Sequence, residues 1–131
     1  MKYVLDTDTC VFWLRGRTQI RERVAEVGLE TISISVITLA ELRYGANCSA
    51  QSDANHRAID DFVSGIAVIG VDQEIVRAFA DMKAELRKRG TLLEDFDLLV
   101  AATARACGLT LVTNNTEHFQ RVSGIALENW M

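Results

Sequence analysis

The stretch Tyr3-Val4-Leu5-Asp6-Thr7-Asp8 decides how the rest of the chain is read. Three apolar residues make a short strand, and the chain then delivers two acids into the turn beyond it. In an open α/β sheet, ligands sit in the crevice outside the carboxyl ends of the strands, because strand backbones stop there and helices open there. A carboxylate at that place binds a cation, does chemistry, or caps the helix that follows. Asp6 and Asp8 cannot both cap one helix, so the pair already asks for more than a turn.

Outward from this strand, the periodicity predicts helical segments over 9–14 and 18–27 and a second strand over 31–35. Ser35 is placed to cap a helix over 36–47, and a polar stretch then leads to further helix over 58–65. A third strand is expected at 67–71. Asp72 and Glu74 mark the start of a long helix that reaches Arg89 and stops at Gly90. Asp95 is the expected cap of a helix over 96–106, Gly108 its left-handed stop, and 109–112 a fourth strand, with a short fifth at 125–127. Strands alternating with helices favour an α/β fold with a parallel sheet covered on both faces.

The 131 residues suffice for one ordinary domain with one core, so a single domain over 1–131 is expected. Hydrophobic residues at 49% and charged residues at 24% exclude a disordered chain. No apolar run approaches the ~18 residues of a membrane span, and Met1-Lys2 leads straight into a strand, so a cytoplasmic protein without membrane partners is expected. Cys10, Cys48 and Cys107 are widely spaced and form no Cys-x-x-Cys pair, which indicates neither a disulfide framework nor a zinc site. The net charge of −4 argues against binding nucleic acid by phosphate neutralisation alone. Cations in an acidic site would cancel part of it, and positive charge gathers at Arg15, Arg17, Arg21 and Arg23 and again at Arg87, Lys88 and Arg89.

Acids recur in settings that resemble the first. Glu41 lies in a helix whose other residues, Val36, Ile37, Leu39, Ala40, Leu42 and Tyr44, leave almost no polar face. It is either exposed beside Arg43 or partly buried, and a buried carboxylate requires a partner, of which a cation is the simplest. Asp97 opens the stripe Val100, Ala101 and Ala104, at the i+3, i+4 and i+7 positions that face a core. Glu94 and Asp95 already supply charge to that helix start. Thr113 and Asn115 follow the fourth strand, where they form a polar turn or offer oxygens and donors to a metal-bound water or a phosphate. Asp6, Glu41 and Asp97, from three separated segments, point to one metal-binding pocket.

Four segments together resemble a known family. They are Val4-Leu5-Asp6-Thr7-Asp8, the run from Ser35 to Ala46 with Ala40-Glu41-Leu42-Arg43-Tyr44-Gly45, the run from Phe96 to Ala104, and Leu111-Val112-Thr113-Asn114-Asn115-Thr116-Glu117-His118-Phe119 with a closing Leu127-Glu128-Asn129-Trp130. In this order and spacing they resemble PIN-domain proteins, and specifically the VapC toxins of bacterial type II toxin-antitoxin pairs. The resemblance implies a three-layer α/β/α sandwich with a central parallel sheet, and an endoribonuclease that uses Mg2+ with Mn2+ as substitute. It places the active-site acids at Asp6, Glu41 and Asp97. It further implies a homodimer, a VapB-like antitoxin whose tail fills the active-site groove in a hetero-oligomer, operator DNA bound only through that antitoxin, and structured RNA, often tRNA, as substrate. Asn115 stands where the family often has Asp.

Two other readings stay open on the residues. Val4-Leu5-Asp6-Thr7-Asp8-Thr9 also fits the strand motif of haloacid-dehalogenase-type phosphatases, with Asp6 as nucleophile and Asp8 as general acid. Lys83 and Asp97 sit in contexts that serve that chemistry poorly, and Glu41 would be left without a role. A catalytically inactive domain whose acidic groove receives a basic peptide is the other reading.

Overall fold

A computed structural model describes residues 1–131, and β1 (Tyr3–Leu5) forms the centre of its five-stranded sheet. After α1 (Thr7–Leu14) and α2 (Thr18–Val27), a single 3-10 turn leads into β2 (Ile32–Ser35). Next come α3 (Val36–Asn47), α4 (Ser52–Ser64) and β3 (Ala67–Ile69). The second half runs α5 (Gln73–Arg89), α6 (Asp95–Cys107), β4 (Thr110–Val112), α7 (Thr116–Phe119) and β5 (Ala126–Glu128).

The sheet order is β3-β2-β1-β4-β5, and every neighbouring pair is parallel. The chain therefore winds outward from β1 to β3 and then returns to set β4 on the other side of β1. That reversal opens a crevice between the carboxyl ends of β1 and β4, the place where α/β sheets bind ligands. Asp6 follows β1 and Thr113 follows β4, so the two flank this crevice.

Strand alternation divides the core into two layers. Val4 pairs in register with Leu111, and both pack with Met82 and Leu86 of α5 and Leu98 and Ala101 of α6. Leu5 pairs with Val112, and both face Cys10, Ile20, Val24 and Ile59 from α1, α2 and α4. All these side chains are buried, each of the large ones contributing about 1.5–3 kcal/mol of transfer free energy. The result is the α/β/α sandwich that alternating strands and helices require.

Several boundaries differ from expectation for physical reasons. α1 begins at Thr7, because Asp6 itself is the cap. α4 begins six residues before 58, its polar first turns resting on α3 through Arg43, His56 and Asp60. Asp95 is not the cap of α6. Glu94 holds that position in an extended conformation without a side-chain bond, and Asp95 pairs with Lys83 at 2.8 Å. Gly90 and Gly108 close α5 and α6 in the left-handed conformation, as read. The four-residue α7 was not anticipated. No helix is long and apolar enough to cross a membrane.

Candidate active site

Asp6 caps the helix that follows it, one of the readings open for it, and still stands at the crevice beyond the strand. As N-cap of α1 its Oδ1 accepts the Thr9 N–H at 2.9 Å, and it stands at the end of β1 with only 7% of its surface exposed. Burial pushes its carboxyl above the ordinary carboxylate value. Hydrogen bonding from Thr113 and Thr9 eases it back, and the charge of Asp8 raises it again. Thr113 is itself fully buried, and its hydroxyl accepts the Asn115 N–H at 2.9 Å. Asn115 is exposed at the start of α7.

Glu41 comes from the middle of α3 and is half-buried. Arg43 does not accompany it, because its guanidinium turns to Asp60 at 2.6 Å and to the His56 carbonyl at 3.2 Å. The partner of Glu41 is instead the Thr7 hydroxyl, which donates to Oε1 at 2.8 Å. Burial raises the Glu41 pKa first, Thr7 counteracts it, and Asp97, Asp8 and Glu94 raise it further.

Asp97 enters from the first turn of α6, half-buried as its stripe required. Its Oδ2 lies 3.4 Å from His118 Nε2 on α7. Burial is the main cause that raises its pKa, the His118 charge opposes it, and Glu94 and Asp8 add to the rise. Asp97 thus acts on Glu41, while Asp8 acts on Asp6, Glu41 and Asp97 alike. Asp6, Glu41, Asp97 and Thr113 therefore belong to one electrostatic neighbourhood at the sheet's switch point.

No three His, Cys, Asp or Glu side chains are drawn together tightly enough to make a metal cage. The donors nevertheless suit a hard cation. They are oxygens only, and Mg2+ is typically held through one or two carboxylates with water and phosphate completing its shell. Raised carboxyl pKa values from burial and like charge also mark groups that a cation would relieve.

Three contributors escaped the sequence reading: Thr7 as partner of Glu41, His118 as partner of Asp97, and Asp8 as a charge felt by all three acids. Thr7 also lies 3.2 Å from the Thr38 hydroxyl, and the three-residue spacing of Thr38 and Glu41 on one helix face was the available signal for a shared polar contact. A cavity of about 380 Å³ adjoins Glu41 between α1, α3 and α4, with Val11, Leu42, Ala46 and Ile59 among its walls.

The PIN domain family matches residues 3–125. The tRNA(fMet)-specific endonuclease VapC of Salmonella typhimurium is 36% identical over 131 residues, which span 99% of this chain and 98% of that one. This chain is a PIN-domain protein of the VapC ribonuclease family. A chain of the DNA-bound VapBC from Salmonella typhimurium superposes with a TM-score of 0.95 at 36% identity, covering 100% of this chain and 99% of the other. VapBC2 from Rickettsia felis, bound to a DNA fragment from its promoter, gives 0.94 at 33% identity with both chains fully covered. The switch-point acids thus sit within a VapC fold that is matched along its whole length, as the four sequence segments implied.

Proposed function

We propose that the chain is a Mg2+-dependent endoribonuclease and the toxin of a type II toxin-antitoxin pair. The observation that carries this reading is the convergence of Asp6, Glu41 and Asp97 at the β1/β4 switch point, each with its pKa raised by burial. Asp6 and Asp97 would hold the principal ion, with Glu41 completing the site directly or through water. Bound there, Mg2+ supplies a more acidic water and positive charge beside the scissile phosphate.

The chain's own residues do the remaining work. Glu41, raised above the ordinary value, is suited to take the proton of the attacking water. Thr113 has no exposed surface, so its part is to orient Asp6. Exposed Asn115 orients water or a phosphate oxygen. With asparagine at that position, one carboxylate fewer is available to hold a second ion.

The substrate class is RNA, and tRNA in particular, in line with the Salmonella relative that is named for tRNA(fMet). The partner is a VapB-like antitoxin, supported by the likeness to VapBC complexes. Its tail would enter the cavity beside Glu41, where apolar walls meet one carboxylate, Glu41, and one guanidinium, Arg15. A homodimer within a toxin-antitoxin hetero-oligomer, operator DNA contacted through the antitoxin, and action in the cytoplasm complete the proposal.

Incubation of purified protein with bulk tRNA, with Mg2+ or with EDTA, tests the reading. Discrete fragments that require Mg2+ are expected. Intact tRNA after incubation with folded, Mn2+-binding protein would contradict it and favour a peptide-binding domain.

A further inference from the structure

We propose that Thr38 and Thr7 form a two-hydroxyl chain that positions the Glu41 carboxylate, which makes Thr7 a positioning residue for phosphodiester cleavage. This rests on the nuclease reading above. Two distances define the chain: 2.8 Å from the Thr7 hydroxyl to Glu41 Oε1, and 3.2 Å between the Thr7 and Thr38 hydroxyls.

Proton counting sets its direction. An ionised carboxylate accepts only, so Thr7 must donate to Glu41. A hydroxyl has one proton, so the Thr7–Thr38 contact is then made by the proton of Thr38. Thr38 is fully buried and has no water to turn to. Its remaining acceptors are the carbonyls three and four residues back, on Ser35 and Ile34 at the end of β2, a competing bond open to threonine near a helix start. The order Thr38 to Thr7 to Glu41 satisfies each hydroxyl and leaves Glu41 as the terminal acceptor.

Placement gives the chain its consequence. Thr38 and Glu41 lie one turn apart on α3, and Thr7 is the first residue of α1, directly after Asp6. The bond across α1 and α3 therefore ties Glu41 to the same strand end that carries Asp6. Glu41 has no other side-chain hydrogen bond, and a glutamate held at one end only by its backbone would sample several rotamers. Outer partners that orient a ligating or reacting carboxylate commonly matter about 10–100-fold in activity.

The test compares Thr7→Val, Thr7→Ser and Thr38→Val with wild type, reading kcat and KM on tRNA with Mg2+, the melting temperature, and the 13C resonance of the Glu41 side-chain carboxyl in metal-free protein. Thr7→Val is expected to lower kcat about 10–100-fold with KM within about twofold, and Thr7→Ser to restore it. The Glu41 carboxyl resonance should move in Thr7→Val, move less in Thr38→Val, and stay in place in Thr7→Ser. Thr7→Ala replaces Thr7→Val if valine prevents folding.

An unchanged kcat in Thr7→Val, or a serine variant as impaired as the valine one, would overturn the proposal. So would a Glu41 resonance indifferent to both valine changes. If wild type itself fails to cleave, the nuclease reading falls. The resonance then still decides the hydroxyl chain, because it needs no activity.

Discussion

Asp97 shows most directly how environment shifts an ordinary acid. Its pKa lies above the usual 3.8 because burial disfavours the charge by more than His118 returns, with Glu94 and Asp8 adding to the rise. A folded-state value above the unfolded one means that protonation stabilises the fold. This contribution is complete below about pH 3.8 and is lost as pH rises through the raised folded value. Without metal, Asp97→Asn should therefore melt higher than wild type at pH 7, and the gap should close as pH falls toward 4. Thermal melts of both proteins in EDTA across that range check the sign, and a gap that widens on acidification would refute it. Thr113→Val removes the hydroxyl that eases Asp6 while preserving shape. Cleavage should fall about 10–100-fold, as for other partners that orient a ligand, and the melting temperature should drop by several degrees, because buried partners lose their bond.

At the scale of elements, helix starts determine where the acids point. Ser35 is buried, and its hydroxyl accepts the Ile37 N–H at 3.0 Å to begin α3, the helix that carries Glu41. Ser35→Ala should cost about 1 kcal/mol, visible as a melting temperature lower by several degrees and faster amide exchange in the first turn of α3. These starts were legible where one strong signal stood alone. Asp72 accepts the Ile75 N–H at 2.9 Å, and Ser35 caps α3 as its position before the helical run required. They were not legible where acids crowd together. In Glu94-Asp95-Phe96-Asp97 the choice of cap depended on Lys83, twelve residues back in sequence and visible only once α5 packs on α6. α7 escaped because four residues carry too little period to read. Phe119, fully enclosed in the core, anchors it and so sets His118 beside Asp97. Glu41 was read as either exposed beside Arg43 or partly buried, and as needing a partner in the second case. That the partner is Thr7 follows from the crossing of α1 and α3, which neither segment encodes by itself.

For the whole molecule, the parallel sheet and its single reversal bring together Asp6, Glu41, Asp97 and Thr113, which follow one another at intervals of 35, 56 and 16 positions. Folding thus assembles the acids at a cost in mutual repulsion, and a cation should return that stability. At a hundredfold excess over its dissociation constant, Mn2+ should add about 2.7 kcal/mol and raise the melting temperature by several degrees. Leu5→Ala should cost about 2–5 kcal/mol, because Leu5 is fully buried and anchors the strand that ends in Asp6. Loss of the Mn2+ response alongside the melting temperature would show that site and core are one unit.

Whether the switch-point acids are a metal-dependent ribonuclease site is decided by one paired measurement: tRNA cleavage with Mg2+, and the Mn2+-induced melting shift, for wild type and Asp97→Asn prepared identically. Both responses are expected in wild type and neither in Asp97→Asn, whose metal-free fold is the more stable of the two. Undiminished cleavage by Asp97→Asn would contradict this, since the activity would then owe nothing to the acid on which the site depends.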